Sequence, residues 1–513
     1  MRRVLRGTGL LPLVLALLLP VTCSRRDAGT IRKPTVQADA TWPNVLLISV
    51  DTLRPDHLGC YGYQRPTSPR IDQLAAEGAL FENAISSTSW TLPAHAALFT
   101  GLADSVHRCQ DMDQRLADSH TTLAERLQAA GYATVGFFSG PALHPVFGLG
   151  QGFDKYVDCT SFKDLTLKVL AAGQSLDGGV VQGASNADVT NPRVFEEVRN
   201  WLHDHQRRPF FMFVHLWDVH FDFIPPPPYD RMFDPDYTGT VTGQNFLLDP
   251  AINAKMPPRD IRHLMALYDG EIAWTDAHVG RILDELDALN LRDSTIVMLV
   301  ADHGEEFFEH GHKGHRHTLF DEVIRIPWIV RYPGRLTGGL RVPAQVRIID
   351  VMPTVLELLG MPLATDVMGS SRVPLLEGTP TKPTDGSDMA VSELFSAGRE
   401  LRSFRRLEGK LIRNEQNQQT IAFDLRADPA EKQAVVDTRH PLLRQLQTDM
   451  ERATEWLNGF RKRFPAAAAA PKLPDDVRRQ LESLGYVGGD DAQPDTAAEQ
   501  QPSGSPTQPD NRP

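Results

Sequence analysis

The sequence predicts an α/β fold, in which a large, mostly parallel sheet is sandwiched by helices and a small antiparallel α+β subdomain follows. Apolar runs that end in acidic residues or histidine alternate with helical segments over most of the chain. This alternation is typical of parallel strands joined by helices. After about residue 389 the runs become shorter and alternate in polarity, which indicates an antiparallel sheet.

The elements follow one another in a regular order. The first strand is predicted at 44–51, where NVLLISVD is apolar until its final Asp. Two helix–glycine–strand units come next, and the first helix is predicted to end at Gly78. A long helix leads into a strand at 209–220, and a longer segment, one helix or two in succession, precedes a strand at 294–306. Such a chain builds a sheet with helices on both faces.

The two ends of the chain are predicted to lie outside this fold. Residues 1–23 carry early arginines and an apolar run over residues 10–19, the pattern of a secretory signal peptide. We therefore expect export to the periplasm or cell surface. The exit LPVTC partly resembles a lipobox, so lipid attachment at Cys23, with membrane anchorage, and ordinary cleavage nearby stay open as alternatives. The predicted organisation is a signal peptide at 1–23, a linker at 24–42, a catalytic domain at 43–388, a C-terminal subdomain at 389–464 and a disordered tail at 465–513.

Composition limits the partners of the protein. Its 513 residues are 41% hydrophobic and 23% charged, as in globular proteins, and the net charge of −12 argues against a nucleic-acid partner. An anionic substrate stays compatible with this charge, because a basic pocket fits within an acidic protein. An exported chain permits a disulfide, and Cys109 with Cys159 is the favoured pair, although spacing alone does not decide it.

Candidate catalytic residues gather where parallel strands are predicted to end. Asp51 ends the first strand, Asp302 and His303 end a later one, and Thr91 opens the helix TLPAHAALFTG. Two carboxylates and an imidazole make a plausible divalent-cation site, and a metal beside a hydroxyl activates it as a nucleophile. Each residue also has a structural interpretation, since a Thr before a helix is commonly a cap and a strand-terminal Asp commonly a turn residue.

Several motifs together resemble the sulfatases of the alkaline phosphatase superfamily. The resemblance runs from about Asn44 to about Asp437, in the order in which the family carries these motifs. The motifs are NVLLISVDTLRPDHLGCYGY, SPRIDQLAAEGALFENAIS, TLPAHAALFTG, DGEIAWTDAHVGRILDEL, DSTIVMLVADHGEEFFEHGHKGH, IDVMPTVLELLG and AFDLRADPAEK.

This resemblance implies a divalent metal and a covalent nucleophile, and it assigns roles by position. Asp51 resembles the first metal ligand, and Asp302 with His303 resembles the later ligand pair. Thr91 falls at the nucleophile position. His220 resembles the histidine on the substrate side, and His315 stands where the family carries a basic residue or a further metal ligand.

Three departures from the family pattern bear on the chemistry. Thr91 replaces the Cys or Ser that sulfatases convert to formylglycine, and a Cβ that carries a methyl group cannot yield an aldehyde. His95 replaces an Arg, and Thr52 replaces a second Asp. Fewer carboxylates favour zinc or manganese over calcium, and the unmodified Thr favours phosphorus over sulfur as the attacked atom.

Further residues offer a second metal or substrate contact: Asp218, His312 and His95, with Arg70 and Arg325 as anion partners that are more simply structural. The favoured function is an exported metal-dependent hydrolase of phosphate, phosphonate or sulfate esters, acting on a small-molecule, glycan or lipid ester. The alternatives are a true sulfatase, a phosphoryl transferase and a catalytically silent module that binds anionic glycans or lipids.

Overall fold

The structure is a computed structural model that describes residues 42–160, 189–205, 208–379, 389–396, 398–464, 468–469 and 471–483. The predicted signal peptide, Cys23 and all of the predicted linker except its last residue lie outside the described residues. Within the described part of the chain, no helix combines the length and the apolar character that crossing a bilayer requires.

The described residues form these strands and helices. The strands are β1 (Asn44–Val50), β2 (Ala79–Ile85), β3 (Ala133–Phe138), β4 (Lys155–Asp158), β5 (Phe210–Leu216), β6 (Thr295–Ala301), β7 (Glu306–Phe307), β8 (Lys313–Gly314), β9 (Arg325–Arg331), β10 (Leu340–Arg347), β11 (Ala390–Ser396), β12 (Arg399–Arg405), β13 (Gly409–Asn414) and β14 (Thr420–Asp424). The helices are α1 (Pro69–Glu77), α2 (Thr91–Thr100), α3 (Asp104–His107), α4 (Leu123–Ala129), α5 (Asn191–Asp204), α6 (Pro258–Ala288), α7 (Asp321–Ile324), α8 (Val351–Leu358), α9 (Val373–Leu376), α10 (Pro441–Arg461) and α11 (Asp475–Ser483).

The large sheet has the strand order β10-β2-β9-β6-β1-β5-β3-β4. All of its pairings are parallel except those that β9 makes with β2 and β6. Every residue of β1, β3, β5 and β6 is buried, because helices cover both faces of the sheet. This architecture confirms the predicted α/β fold.

The register of the central strands sets the position of the site. Val50, at the end of β1, lies opposite Leu216 of β5 and Ala301 of β6. The residues that follow these three strands therefore emerge together at one edge of the sheet, where ligands bind in open α/β folds. Asp51 and Asp302 are the first residues beyond β1 and β6.

The segment that the sequence predicts as one helix or two in succession forms a single helix, α6. This helix packs beside α1. The buried carboxylate of Asp276 on α6 accepts hydrogen bonds from the backbone N–H groups of Arg70 and Ile71, which open α1. The side chain of Arg70 pairs with Asp284, also on α6. The guanidinium of Arg325 donates to the backbone oxygen of Glu82. Arg70 and Arg325 thus join elements of the fold.

The C-terminal strands form a separate antiparallel sheet in the order β11-β12-β13-β14, on which α10 packs, as the sequence predicts. Its first strand is bonded to the segment between β2 and α2. The hydroxyl of Ser392 donates to the backbone oxygen of Ser86 at 2.7 Å, and the N–H of Glu393 donates to that of Ser87 at 2.7 Å. The C-terminal sheet therefore supports the segment that leads to Thr91.

The structure corrects two expectations. Cys109 and Cys159 are both free and buried, so the favoured disulfide is not formed; Cys109 follows α3, whereas Cys159 follows the edge strand β4. The predicted tail at 465–513 also contains the ordered helix α11. Its Val477 and Leu481, one turn apart, are buried where α11 packs on the turn at Pro141–Leu143.

Candidate active site

Thr91 and Asp51 face each other at the carboxyl edge of the large sheet. The Thr91 Oγ1 atom lies 3.5 Å from Asp51 Oδ2 and 3.3 Å from His303 Nε2. Thr91 is the first residue of α2, and Trp90 occupies the N-cap position without a side-chain hydrogen bond to the helix. The hydroxyl of Thr91 therefore contacts the candidate catalytic groups and makes no capping hydrogen bond to α2.

Asp302 brings a second carboxylate to the same point. Its Oδ1 accepts the backbone N–H groups of Thr52 at 3.3 Å and of His303 at 2.9 Å. Its Oδ2 lies 3.5 Å from His303 Nε2. The His303 Nδ1 atom is 2.9 Å from the Gly304 carbonyl oxygen, to which it donates. This hydrogen bond engages Nδ1 of His303, so that Nε2 is the nitrogen that faces the two carboxylates.

His215 belongs to the same group, and sequence reasoning missed it. Its Nε2 atom lies 3.3 Å from Asp51 Oδ2, and its Nδ1 atom is 3.0 Å from the carbonyl oxygen of Ser139. The one available signal was a histidine near the end of an apolar strand, where a buried polar side chain needs a partner. In register, His215 lies opposite Ser49 of β1.

His95 lies one helical turn after Thr91 on α2 and contacts Thr91, Ser49 and Asp302. Its Nδ1 atom is 2.8 Å from the backbone oxygen of Thr91, its Nε2 atom is 3.0 Å from Ser49 Oγ, and Nδ1 is 3.7 Å from Asp302 Oδ2. Both ring nitrogens therefore have hydrogen-bond partners. His95 holds the first turn of the helix on which Thr91 stands.

The donor set fits a divalent cation. Among the described residues, Oδ1 of Asp51, Oδ2 of Asp302 and Nε2 of His215 are buried and have no hydrogen-bond partner. Three ligand atoms from Asp51, Asp302 and His303 lie within 4.8 Å of one another, which is close enough to hold one ion. Buried oxygen and nitrogen atoms without partners are costly unless a cation neutralises them.

The electrostatics of this cluster agree with this interpretation. Burial raises the pKa of Asp51, while the neighbouring His220 and His303 lower it. Burial and then the charge of Asp51 raise the pKa of Asp302. Burial also lowers the pKa of His215 to about 4, so this imidazole is neutral near pH 7, the form that binds metals.

His220 and His315 form a second wall of the site. The His220 ring centroid lies 5.0 Å from that of His315, which in turn lies 4.5 Å from that of His303. The Nδ1 atom of His220 is 2.8 Å from the Phe221 carbonyl oxygen, and Nδ1 of His315 is 3.1 Å from Glu305 Oε1. Because Nδ1 of each ring has this partner, Nε2 of each ring points away from it. The structure thus brings both histidines to the group that contains Asp51.

Two of the residues predicted as second-metal or substrate contacts have other surroundings. The carboxylate of Asp218 accepts hydrogen bonds from the hydroxyl of Thr190, the N–H groups of Thr190 and Asn191, and the indole of Trp274, and so holds the start of α5 against α6. The backbone N–H of His312 donates to Glu306 Oε1, and its ring stacks near that of His317.

Two protein families and several known proteins are similar to this chain. The family described as Sulfatase matches residues 43–361, and the family described as N-sulphoglucosamine sulphohydrolase, C-terminal, matches residues 308–456. The ulvan-active sulfatase of Formosa agariphila is 24% identical over 468 residues, which cover 86% of each chain. The multifunctional alkaline phosphatase superfamily protein PehA of Trinickia caryophylli is 28% identical over 411 residues, 66% of this chain and 78% of that protein.

Solved structures share the fold. The phosphonate monoester hydrolase of Agrobacterium radiobacter superposes with a TM-score of 0.64 at 23% identity, covering 82% of this chain and 96% of that one. A protein solved in complex with its substrate D-glucosamine-2-N,6-O-disulfate superposes with a TM-score of 0.67 at 19% identity, covering 83% of this chain and 99% of that one.

Proposed function

The chain belongs to the sulfatase family of the alkaline phosphatase superfamily and is an ester-hydrolysing enzyme, and from this premise we propose that it cleaves phosphate or phosphonate esters with Thr91 as the nucleophile. The observation that carries the proposal is the position of Thr91 Oγ1, 3.5 Å from Asp51 Oδ2 and 3.3 Å from His303 Nε2.

The side chain of Thr91 favours phosphorus over sulfur. Its Cβ carries a methyl group, so oxidation of the carbinol gives a ketone, and the hydrated aldehyde that sulfatases use is inaccessible. An unmodified hydroxyl must then attack directly. Direct attack is well suited to phosphoryl transfer, which depends above all on positioning and on neutralising charge.

The reaction would proceed in two displacements at phosphorus. The Thr91 Oγ–P bond forms as the bond from phosphorus to the leaving oxygen breaks, the Thr91 proton passes to a neighbouring base or to solvent, and the leaving alkoxide takes up a proton to depart as the alcohol. Water then attacks phosphorus, restores the Thr91 hydroxyl and releases phosphate or phosphonate. His220 and His315 are the side chains beside the cluster that would contact the ester, and Nε2 of His220, whose Nδ1 donates to the Phe221 carbonyl oxygen, would accept a proton from the attacking hydroxyl or water.

Asp51, Asp302 and His303 would hold a divalent cation, with His215 beside them. When bound, such an ion lowers the pKa of a neighbouring hydroxyl and neutralises charge on the substrate oxygens. Thr52 contributes no carboxylate, and its backbone N–H donates to Asp302. We propose zinc or manganese over calcium, because the set mixes nitrogen with few oxygen ligands.

Sulfate-ester hydrolysis is the second candidate, and the relatives favour it. The first-named relative is an ulvan-active sulfatase, and one structural neighbour holds a disulfated glucosamine as its substrate. A sulfated glycan is therefore a plausible substrate class beside phosphate and phosphonate esters. A catalytically silent glycan-binding module agrees less well with the structure. Such a module does not require buried carboxylate oxygens without hydrogen-bond partners, which the site contains. We also propose that the enzyme is exported, on the pattern of residues 1–23.

The test compares initial rates of the full chain on an aryl phosphate monoester, an aryl phosphonate monoester, a phosphate diester and an aryl sulfate, with added zinc, manganese or calcium. Thr91→Ala should lose activity by about 10³-fold or more, whereas Thr91→Ser should retain much of it. Thr100→Ala is the matched control, because the Thr100 hydroxyl of the same helix bonds to the Ala96 backbone.

Mass spectrometry of the protein quenched during turnover should find a phosphoryl or phosphonyl group on the peptide that contains Thr91. If the aryl sulfate turns over fastest and also requires Thr91, the preference for phosphorus is wrong. If Thr91→Ala retains full activity on every ester, Thr91 is not the nucleophile.

A further inference from the structure

A surface pocket of ≈410 Å³ opens where the C-terminal end of α10 meets the segment after α3. Its lining consists of Arg108, Asn458, Arg461, Lys462 and Phe464. None of these residues belongs to the catalytic group, and the volume lies within the range of small-ligand pockets. The pocket therefore offers a second place at which a ligand can bind.

The pocket is cationic in an acidic protein. Three of its five lining residues are Arg or Lys and none is Asp or Glu, whereas the whole chain has a net charge of −12. Within the described part of the chain, none of Arg108, Arg461 and Lys462 forms an ion pair, and the Nε atom of Arg108 is buried without a hydrogen-bond partner. Unneutralised cations that converge on one pocket create a local potential that attracts anions.

A second pocket adjoins the cationic one and differs from it in charge. An adjoining pocket of ≈570 Å³ shares Asn458 and Lys462 with the first. It is also lined by Arg413, Glu451 and Glu455, so its two carboxylates balance its two cations. Of these two pockets, the smaller one therefore carries the excess of positive charge.

The other two lining residues suit a sugar. Phe464 is half-buried, and its ring is held by that of His120, with 5.0 Å between centroids. An aromatic ring supplies an apolar contact surface. The side-chain amide of Asn458 offers both a donor and an acceptor, the combination that hydroxyl groups require.

We propose that this pocket binds the sulfate or phosphate group of an anionic sugar, as an anchoring site for a charged glycan separate from Thr91. The proposal takes the glycan class from the proposed function but does not depend on the reaction. The segment that begins at Arg108 continues to Asp111, whose carboxylate lies 3.6 Å from Arg316 Nη2. Arg316 lies over the ring of Trp90, which precedes Thr91. The segment 108–111, an ion pair and a cation–π contact thus link the pocket to the residue before Thr91.

The experiment measures binding by the full chain carrying Thr91→Ala, so that the probe is not consumed. The probes are a sulfated dextran hexasaccharide, the same hexasaccharide without sulfate, and inorganic sulfate. Arg461→Glu with Lys462→Glu reverses two exposed charges of the pocket. Arg444→Glu with Arg452→Glu is the matched control, because it makes the same charge change at exposed positions of the same helix. Arg108→Met is an independent third variant.

We expect the pocket pair and Arg108→Met each to weaken binding of the sulfated hexasaccharide about tenfold or more, and the control pair less than about threefold. The affinity should fall as salt is raised, and the unsulfated probe should bind at least about tenfold more weakly. Inorganic sulfate should compete at the pocket with lower affinity, because it lacks the sugar contacts.

Equal losses in the pocket and control pairs would overturn the proposal, since they would indicate a diffuse charge effect. Equal affinity for both hexasaccharides would overturn it as well, as would inorganic sulfate binding as tightly as the sulfated sugar. The pocket pair in the Thr91-containing enzyme should leave turnover of a small aryl ester unchanged. Failure of the proposed reaction would instead show as absent turnover with glycan binding intact.

Discussion

His215 on β5 places its Nε2 atom 3.3 Å from Oδ2 of Asp51, the residue that follows the neighbouring strand β1. The backbone of the same region is joined where Asp51 N–H donates to the Leu216 carbonyl oxygen at 3.0 Å. The hydrogen bond between His215 Nδ1 and the Ser139 carbonyl oxygen turns Nε2 towards the carboxylate. A neutral histidine held in this way acts as a metal ligand or supports one.

His215→Ala should therefore lower kcat by about 10²-fold and reduce the metal that remains bound after dialysis, as is usual when a ligand or its supporting residue is removed. Metal content is measured on the same samples as the rates. His203→Ala is the control, since His203 is exposed and pairs with Glu285 on the surface. Full activity and full metal content in His215→Ala would contradict the role given to this residue.

Removal of the metal should destabilise the protein as well as inactivate it. Without a cation, Asp51 and Asp302 face each other as buried carboxylates with unpartnered oxygens. Metal at about 100 times its Kd adds about 2.7 kcal/mol to the free energy of unfolding. We expect chelation to lower the thermal midpoint and zinc or manganese to restore it further than calcium. Asp302→Asn should respond weakly to all three ions, and complete recovery with calcium alone would contradict the metal preference.

Stability should also fall at low pH through Asp350. Burial opposes ionisation of Asp350, but the guanidinium groups of Arg347 and Arg372, at 2.8 Å and 2.7 Å, outweigh it and hold the pKa below the ordinary value. A lowered folded-state pKa stabilises the fold above the unfolded pKa of about 3.9, and this contribution is lost as pH falls through the folded value.

Asp350→Asn should thus cost about 3 kcal/mol or more in urea unfolding at pH 7, because it leaves buried guanidinium groups without their partner. The difference from the unsubstituted protein should shrink below about pH 4. A cost that stays constant from pH 7 to pH 3 would show that shape, and not charge, accounts for it. The Asp437→Asn variant, at an exposed pair with Arg439, is the control.

Gly78, which ends α1, is a position where any side chain is excluded. A Cβ atom there would lie 2.2 Å from the Val330 carbonyl oxygen on β9. This oxygen belongs to the backbone of a strand, so it cannot move away by a side-chain rotation. Gly78→Ala should lower the free energy of unfolding by about 2 kcal/mol or more. Gly459→Ala is the opposite case, because no atom lies within 4 Å of its Cβ on α10. That variant should gain up to about 1 kcal/mol, and equal effects of the two substitutions would contradict this account.

The fold and the centre of the site were accessible from the sequence because their signals are local. Apolar runs that end in Asp51 and in Asp302 mark parallel strands and the edge at which they end, and the motifs identified the family. Thr91 was found at the start of a helix, although its hydroxyl faces Asp51 and His303 and caps nothing. Strand order and the direction of β9 came only from the structure, since pairing joins residues far apart in sequence.

The features that the sequence analysis missed or predicted wrongly also depend on contacts between distant parts of the chain. His215 looks like any residue of an apolar strand until its neighbour β1 supplies Asp51. The candidates Cys109 and Cys159 had suitable chemistry, but sequence spacing says nothing of where two chain segments meet. Helix α11 was hidden by its polar composition, because two apolar residues a turn apart are enough to dock a short helix.

The strand order has a consequence for the time at which the enzyme becomes active during its synthesis. In the large sheet β2 is bonded only to β9 and β10, which are encoded some 250 residues later. Until a ribosome has passed residue 331, β2 lacks both of its neighbours, and until it has passed residue 347, β2 still lacks β10. The strand that leads to Thr91 is thus made long before its two sheet neighbours, and such long-range pairing is slow to form. The support of the active site is therefore complete only once β9 and β10 are available.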